Sequence, residues 1–154
     1  MGGSVFIRQY RDCLVVESPG VFPNGISLDN ILNRQLPRNR RIVEILALCG
    51  LVERSGQRMN LIYELSIKKA KQLPDFTGTD EDFVSITLNG FVLDTKILSL
   101  INQIGTERME TLTTGYFLII NALYHEQSIA ESIKPCLKKL TELGLVERIG
   151  RNLR

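Results

Sequence analysis

Residues 133–151 read IKPCLKKLTELGLVERIGR, and the spacing within this stretch decides how the last third of the chain folds. Ile133, Leu137 and Leu140 recur at intervals of four and three, which places them on one face of a helix. Lys134, Lys138 and Glu142 fall on another face. The pattern predicts a helix over about Glu131–Leu143, with Pro135 near its start, where a missing N–H is tolerated. Gly144 supplies the left-handed residue that ends such a helix. Leu145-Val146-Glu147-Arg148-Ile149 is then predicted to leave it as a strand.

Upstream of this stretch, helical spacing continues. Tyr116, Phe117, Ile120 and Leu123 predict a helix from about Thr114 to Tyr124, followed by the polar gap His125-Glu126-Gln127. Asp94 can cap an earlier helix that carries Ile97, Leu98, Ile101 and Ile104 and ends at Gly105. A helix, a polar gap, a lysine-bearing helix, then Gly-Leu-Val-Glu-Arg and a basic turn is the order of a winged-helix module. In such a module the second helix buries one face and offers the other to the major groove, and the basic turn follows the phosphate backbone. Lys134, Lys138, Lys139, Arg148 and Arg151 are the candidate DNA contacts. The same order also occurs in winged helices that mediate only protein contacts. Arg154 is expected to fall before a returning wing strand is complete.

The first 90 residues have a different texture. Val5–Tyr10 and Cys13–Glu17 are β-favouring runs joined at Arg11-Asp12, which predicts a hairpin. Ser18-Pro19-Gly20 and Pro23-Asn24-Gly25 are turns, and Ser27 is expected to cap a short helix at Leu28. Ile42, Ile45, Leu46 and Cys49 predict a helix from about Arg38 to Gly50, with Leu51-Val52-Glu53 as a short strand and Gly56 in a turn. Met59, Ile62, Leu65 and Ile67 predict another helix, its lysines (Lys68, Lys69, Lys71) near the dipole-negative end. After Pro74 and the acidic loop Asp80-Glu81-Asp82, residues Phe83–Leu88 alternate as a strand, and Asn89-Gly90 signals a turn. Two domains are therefore expected, 1–90 mixed α/β and 91–154 winged-helix, in an α+β chain. Gly50-Leu51-Val52-Glu53-Arg54-Ser55-Gly56 recurs as Gly144-Leu145-Val146-Glu147-Arg148-Ile149-Gly150. The flanks differ, so the repeat predicts one helix-ending solution used twice.

Composition excludes several classes. At 44% hydrophobic and 23% charged the chain is globular, and it holds no apolar run long enough for a membrane span. Cys13, Cys49 and Cys136 are scattered, and His125 is the single histidine, so neither a disulfide framework nor a metal site is expected. The start of the chain has no signal-peptide pattern, and a cytoplasmic location is expected. No phosphate-binding GxxxxGK[ST] or GxGxxG motif occurs, and no Ser/His/Asp or Cys/His set, so no catalytic residue and no cofactor are expected. The net charge is only +2, but basic residues cluster. Lys134, Lys138, Lys139, Arg148, Arg151 and Arg154 face two acids after Ile133, and Arg34, Arg38, Arg40 and Arg41 form a second patch with no acid between Asp29 and Glu44.

One set of short motifs occurs in fixed order: Glu17-Ser18-Pro19-Gly20, Pro37-Arg38-Asn39-Arg40, Gly50-Leu51-Val52-Glu53, Ser55-Gly56-Gln57-Arg58-Met59-Asn60 and Leu73-Pro74-Asp75-Phe76. From Val5 to Leu88 the chain thereby resembles the C-terminal part of bacterial and archaeal regulators labelled RecG-like ATP-dependent DNA helicases or Schlafen/AlbA-type transcriptional regulators. The resemblance implies a half-domain sharing features with the GHKL ATPase fold, fused to a helix-turn-helix. It also implies an upstream AlbA-like domain and an H-R-D-like segment, so the chain is expected to be a piece of a longer protein. Arg58 stands where the family has the second glycine of a Gly-x-Gly turn, which marks Gly56 and Arg58 as a degenerate nucleotide turn.

The resulting expectation is a non-catalytic fragment of a bacterial DNA-binding transcriptional regulator, with double-stranded DNA as partner. A homodimer and the AlbA-like domain of the parent protein are further expected partners, and no membrane is. Two alternatives stay open: a helicase-related nucleotide-binding protein, and a protein-interaction or dimerisation module.

Overall fold

Arg11 and Asp12 close a hairpin because the Tyr10 N–H donates to the Cys13 carbonyl at 2.8 Å across them. In the computed structural model, which describes residues 3–34, 36–52, 58–105, 111–149 and 152–153, this hairpin begins a three-stranded antiparallel sheet. Strands β1 (Phe6–Gln9), β2 (Cys13–Pro19) and β3 (Phe83–Asn89) lie in the order β1-β2-β3. The register Phe6↔Glu17 and Val16↔Ile86 puts Ile7, Leu14, Val16, Val84, Ile86 and Leu88 on one face. On the other face the Arg8 guanidinium pairs with Glu17. The acidic loop makes the sharp return into β3, where the Asp80 carboxylate accepts from the Asp82 and Phe83 N–H groups at 2.8 and 2.7 Å.

Five helices form among the described residues: α1 (Arg40–Leu48) and α2 (Arg58–Lys68) between β2 and β3, and α3 (Thr95–Ile104), α4 (Thr114–Tyr124) and α5 (Pro135–Glu142) after β3. Asn39 caps α1 and Asp94 caps α3, each by accepting an N–H of the first turn. A last pair of two-residue strands, β4 (Arg148–Ile149) and β5 (Asn152–Leu153), runs antiparallel. The chain is thus a mixed α/β structure of the α+β kind.

It divides into two units. The first comprises Met1–Ile62 and Pro74–Gly90, the second Tyr63–Leu73 and Phe91–Arg154. Residues Tyr63–Leu73, part of the 1–90 segment by sequence, pack with the second unit. That unit owns the continuous core. Ile67, Ile97, Ile101, Tyr116, Phe117, Ile119, Ile120, Leu140 and Val146 are all buried and cluster together. In the first unit Phe76 is the one buried hydrophobic residue among the described residues, with the Phe22 ring 6.1 Å from its own.

Several expectations are corrected. No helix starts at Leu28. The chain makes successive turns there, because the Asn30 carboxamide accepts the Ser27 N–H at 2.9 Å and its own N–H donates to the Ser27 carbonyl. Leu51-Val52 is a bend instead of a strand, the strand expected over Leu145–Ile149 is confined to Arg148–Ile149 after a bend at Leu145-Val146, and Glu53 with Gly56 lies outside the described residues. The last helix begins at Pro135, four residues later than the apolar spacing indicates. Pro135 has no N–H to extend the ladder to Glu131, so residues 130–137 wind in on tighter three-residue steps, Lys134 to Glu131 and Leu137 to Lys134 among them. A returning strand does form after the bend, since Arg148 pairs with Leu153 and Ile149 with Asn152.

The repeated Gly-Leu has a common geometry. Gly50 (φ +70) and Gly144 (φ +67) are left-handed at the helix ends. In each case the glycine N–H and that of the next leucine donate back into the last turn, to Ala47 and Leu46, and to Thr141 and Leu140. Two further helix ends use the same geometry without glycine, at Ala70 (φ +48) and Glu126 (φ +54).

Candidate nucleic-acid interface

Helix α5 has to satisfy a buried and an exposed requirement within eight residues. Leu140 is completely buried, and Ile133, Cys136 and Leu137 pack partly buried against the same core. That anchoring leaves Lys134, Lys138 and Lys139 exposed. Their surroundings differ. Lys134 pairs with Glu131, and the Lys139 ammonium stands 5.9 Å from the centre of the Tyr116 ring. Lys138 makes no ion pair among the described residues. Glu142 is exposed on the same helix, so the face is only modestly basic. Arg148 sits in β4, next along the chain, with its side chain outside the described residues, as is the whole of Arg151.

The second basic patch is spread over different tasks. The Arg38 guanidinium donates to the Val21 carbonyl and lies against Gly20, where an added Cβ would come within 2.8 Å of it. Arg38 thereby ties the turn after β2 to the approach to α1. Arg40 pairs with Glu44 at 2.9 Å along α1, while Arg34 and Arg41 are exposed. Arg58 is the exposed first residue of α2, and Gly56 lies outside the described residues. No three His, Cys, Asp or Glu side chains gather to hold a metal ion among the described residues. No helix among them is long and apolar enough to cross a membrane.

Behind α5, polar contacts that the sequence does not announce fix α4. Thr114, itself buried, donates its hydroxyl to Glu64 at 2.5 Å. The Lys68 ammonium lies 4.7 Å from the centre of the Phe117 ring and 4.0 Å from Glu64. At the far end of α4 the Tyr124 hydroxyl donates to Asp94 at 2.6 Å. That bond, helped by the Lys96 N–H, holds the Asp94 carboxyl below its ordinary range, and the same bond raises the Tyr124 phenol above its own. The signal available in the sequence was faint: Asp94 reads as a helix cap, but the second partner, Tyr124, is thirty residues away.

The comparisons with known proteins agree with the first-unit motifs. The family described as "Putative ATP-dependent DNA helicase recG C-terminal" matches residues 2–88, more than half of the chain, and the chain belongs to that family. Among solved structures, the DIP2311 protein of Corynebacterium diphtheriae is similar, with a TM-score of 0.73 and 20% sequence identity. The similarity covers 89% of this chain and 31% of that protein, so the chain spans about a third of its length; the likeness is one of fold. No curated protein matches the sequence.

Proposed function

We propose that the second unit is a winged-helix module that contacts duplex DNA, within a regulator of the Schlafen/AlbA type. The observation that carries this is the division of labour in α5. A fully buried Leu140 fixes the helix while Lys134, Lys138 and Lys139 stay in solvent, and the β4–β5 pair follows directly. The order α4, tight turns, α5 and hairpin supports a helix-turn-helix with a short wing. In this proposal Lys138 faces the groove, Lys134 and Lys139 turn from their present partners to phosphates, and Arg148 and Arg151 extend the basic surface. The chain itself acts without catalysis or cofactor, and ATP with magnesium is neither hydrolysed nor bound at Gly56–Arg58. The upstream AlbA-like domain belongs to the rest of the protein. The greater length of the similar DIP2311 protein supports such a longer parent.

The test is the salt dependence of duplex binding by the chain and by a variant with Lys138, Lys139 and Arg151 all replaced by alanine. Neutralising a phosphate releases counterions, so the log–log slope should flatten by roughly one unit for each phosphate that the variant leaves unneutralised. Equal slopes for the two proteins would refute the assignment of these residues.

A further inference from the structure

Helix α1 is too short to stand on its own merits. Nine residues fall below the ~12–15 that an isolated helix needs in water, so its stability must come from packing. Yet none of its residues is buried. Val43, Leu46 and Ala47 make a half-covered inner stripe, and Ile42, Ile45 and Leu48 make an outer one that is 52%, 60% and 79% exposed. A helix apolar on two sides belongs between two layers, and among the described residues none covers the outer stripe.

Two features of α1 say what fits there. The outer stripe is centred on Ile45, with Ile42 and Leu48 three positions away on either side, so an antiparallel copy can lay the stripe on itself. The charges are arranged against the helix's own dipole: Arg40 and Arg41 open it, no acid lies in its first turn and no base in its last. An antiparallel copy corrects that fault through Arg41, which borders the outer stripe and would lie beside the carbonyl end of the other helix, while Arg40 stays paired with Glu44. A parallel copy would bring the two Arg41 side chains together.

We propose that two copies of this chain associate through α1, antiparallel about a two-fold axis at Ile45, so that Ile42 of one packs on Leu48 of the second copy. A single nine-residue helix is about 14 Å long, which gives an interface at the small end of the range, under ~1,200 Å², and hence a weak, concentration-dependent dimer.

The experiment is light scattering on the full chain from low micromolar to near-millimolar concentration. The mass should rise towards that of a dimer, and Ile45→Asp should weaken association at least tenfold. Leu61→Asp, an equally exposed aliphatic residue on α2, should leave it unchanged. Ile45→Cys, in a chain whose native cysteines are serine, should form a disulfide-linked dimer in air, since the two sulfurs meet on the axis. A chain that stays monomeric throughout overturns the proposal and assigns the stripe to another segment of a longer protein or to a different partner. A dimer insensitive to Ile45→Asp, or one that fails to cross-link through Ile45→Cys, overturns it as well.

Discussion

Replacing Leu140 by alanine isolates the packing on which the whole α5 surface depends. Leu140 has no exposed surface and touches the cluster that contains Phe117, Ile120 and Val146. Truncating a buried leucine removes its transfer free energy and leaves a cavity, together about 3 kcal/mol within a usual span of ~2–5. For a unit in the 60–100-residue range, each kcal/mol lowers Tm by about 4–8 °C, so the loss should be on the order of 12–24 °C. The internal control is Leu143→Ala, the same change three residues on, where the side chain is 40% exposed. Its cost should be below about 1 kcal/mol, because most of that surface is already in water. Near-UV circular dichroism on heating is suitable, since three of the four tyrosines (Tyr63, Tyr116 and Tyr124) lie in the second unit. Equal losses for the two variants, or a Leu140→Ala protein as stable as the parent, would refute the placement of α5 on this core.

Other outcomes follow from the polar contacts and the helix ends. Thr114→Val keeps the shape but leaves Glu64 without its hydroxyl partner, and should cost about 1–2 kcal/mol in urea unfolding. With Asp94 depressed, its contribution is present above the ordinary carboxylate range and is lost as pH falls through the lower folded value. With Tyr124 raised, its contribution is present below the ordinary phenol range and is lost as pH rises through the higher folded value. Tyr124→Phe should therefore move the acid unfolding midpoint upward and remove the alkaline loss; an unchanged acid midpoint would show that the bond does not hold Asp94. Glu126 is exposed and left-handed, so Glu126→Gly should relieve strain of ~1–2 kcal/mol, offset in part by chain entropy, for a net gain of about 0.5–1 kcal/mol in thermal or urea unfolding.

Much of the local architecture was legible in the sequence because it depends on local physics. The helix over Thr114–Tyr124, the caps at Asp94 and after α1 and α5, and the first hairpin with its turn at Arg11-Asp12 follow from period, capping chemistry and turn residues. What failed were contests between neighbours. Asn30 outcompetes the Ser27 cap, and the missing N–H of Pro135 delays a helix whose apolar spacing starts earlier. Long-range pairings were not legible at all, because Glu64 with Thr114 and Lys68 with Phe117 depend on which faces meet in the fold. The same holds for the basic residues. Sequence clustering groups Arg38 with Arg40 and Arg41, but the structure gives Arg38 to a loop carbonyl and Arg40 to Glu44.

The most direct test of the nucleic-acid assignment is amide chemical-shift mapping of the chain with a short duplex at about 50 mM salt, where several phosphate contacts are strongly felt. The shifts should be saturable, should collapse as salt is raised, and should concentrate on Lys134–Glu142 and on the β4–β5 pair. Saturable shifts confined to the Arg34–Arg41 patch, or no shifts anywhere at that salt, would contradict the account.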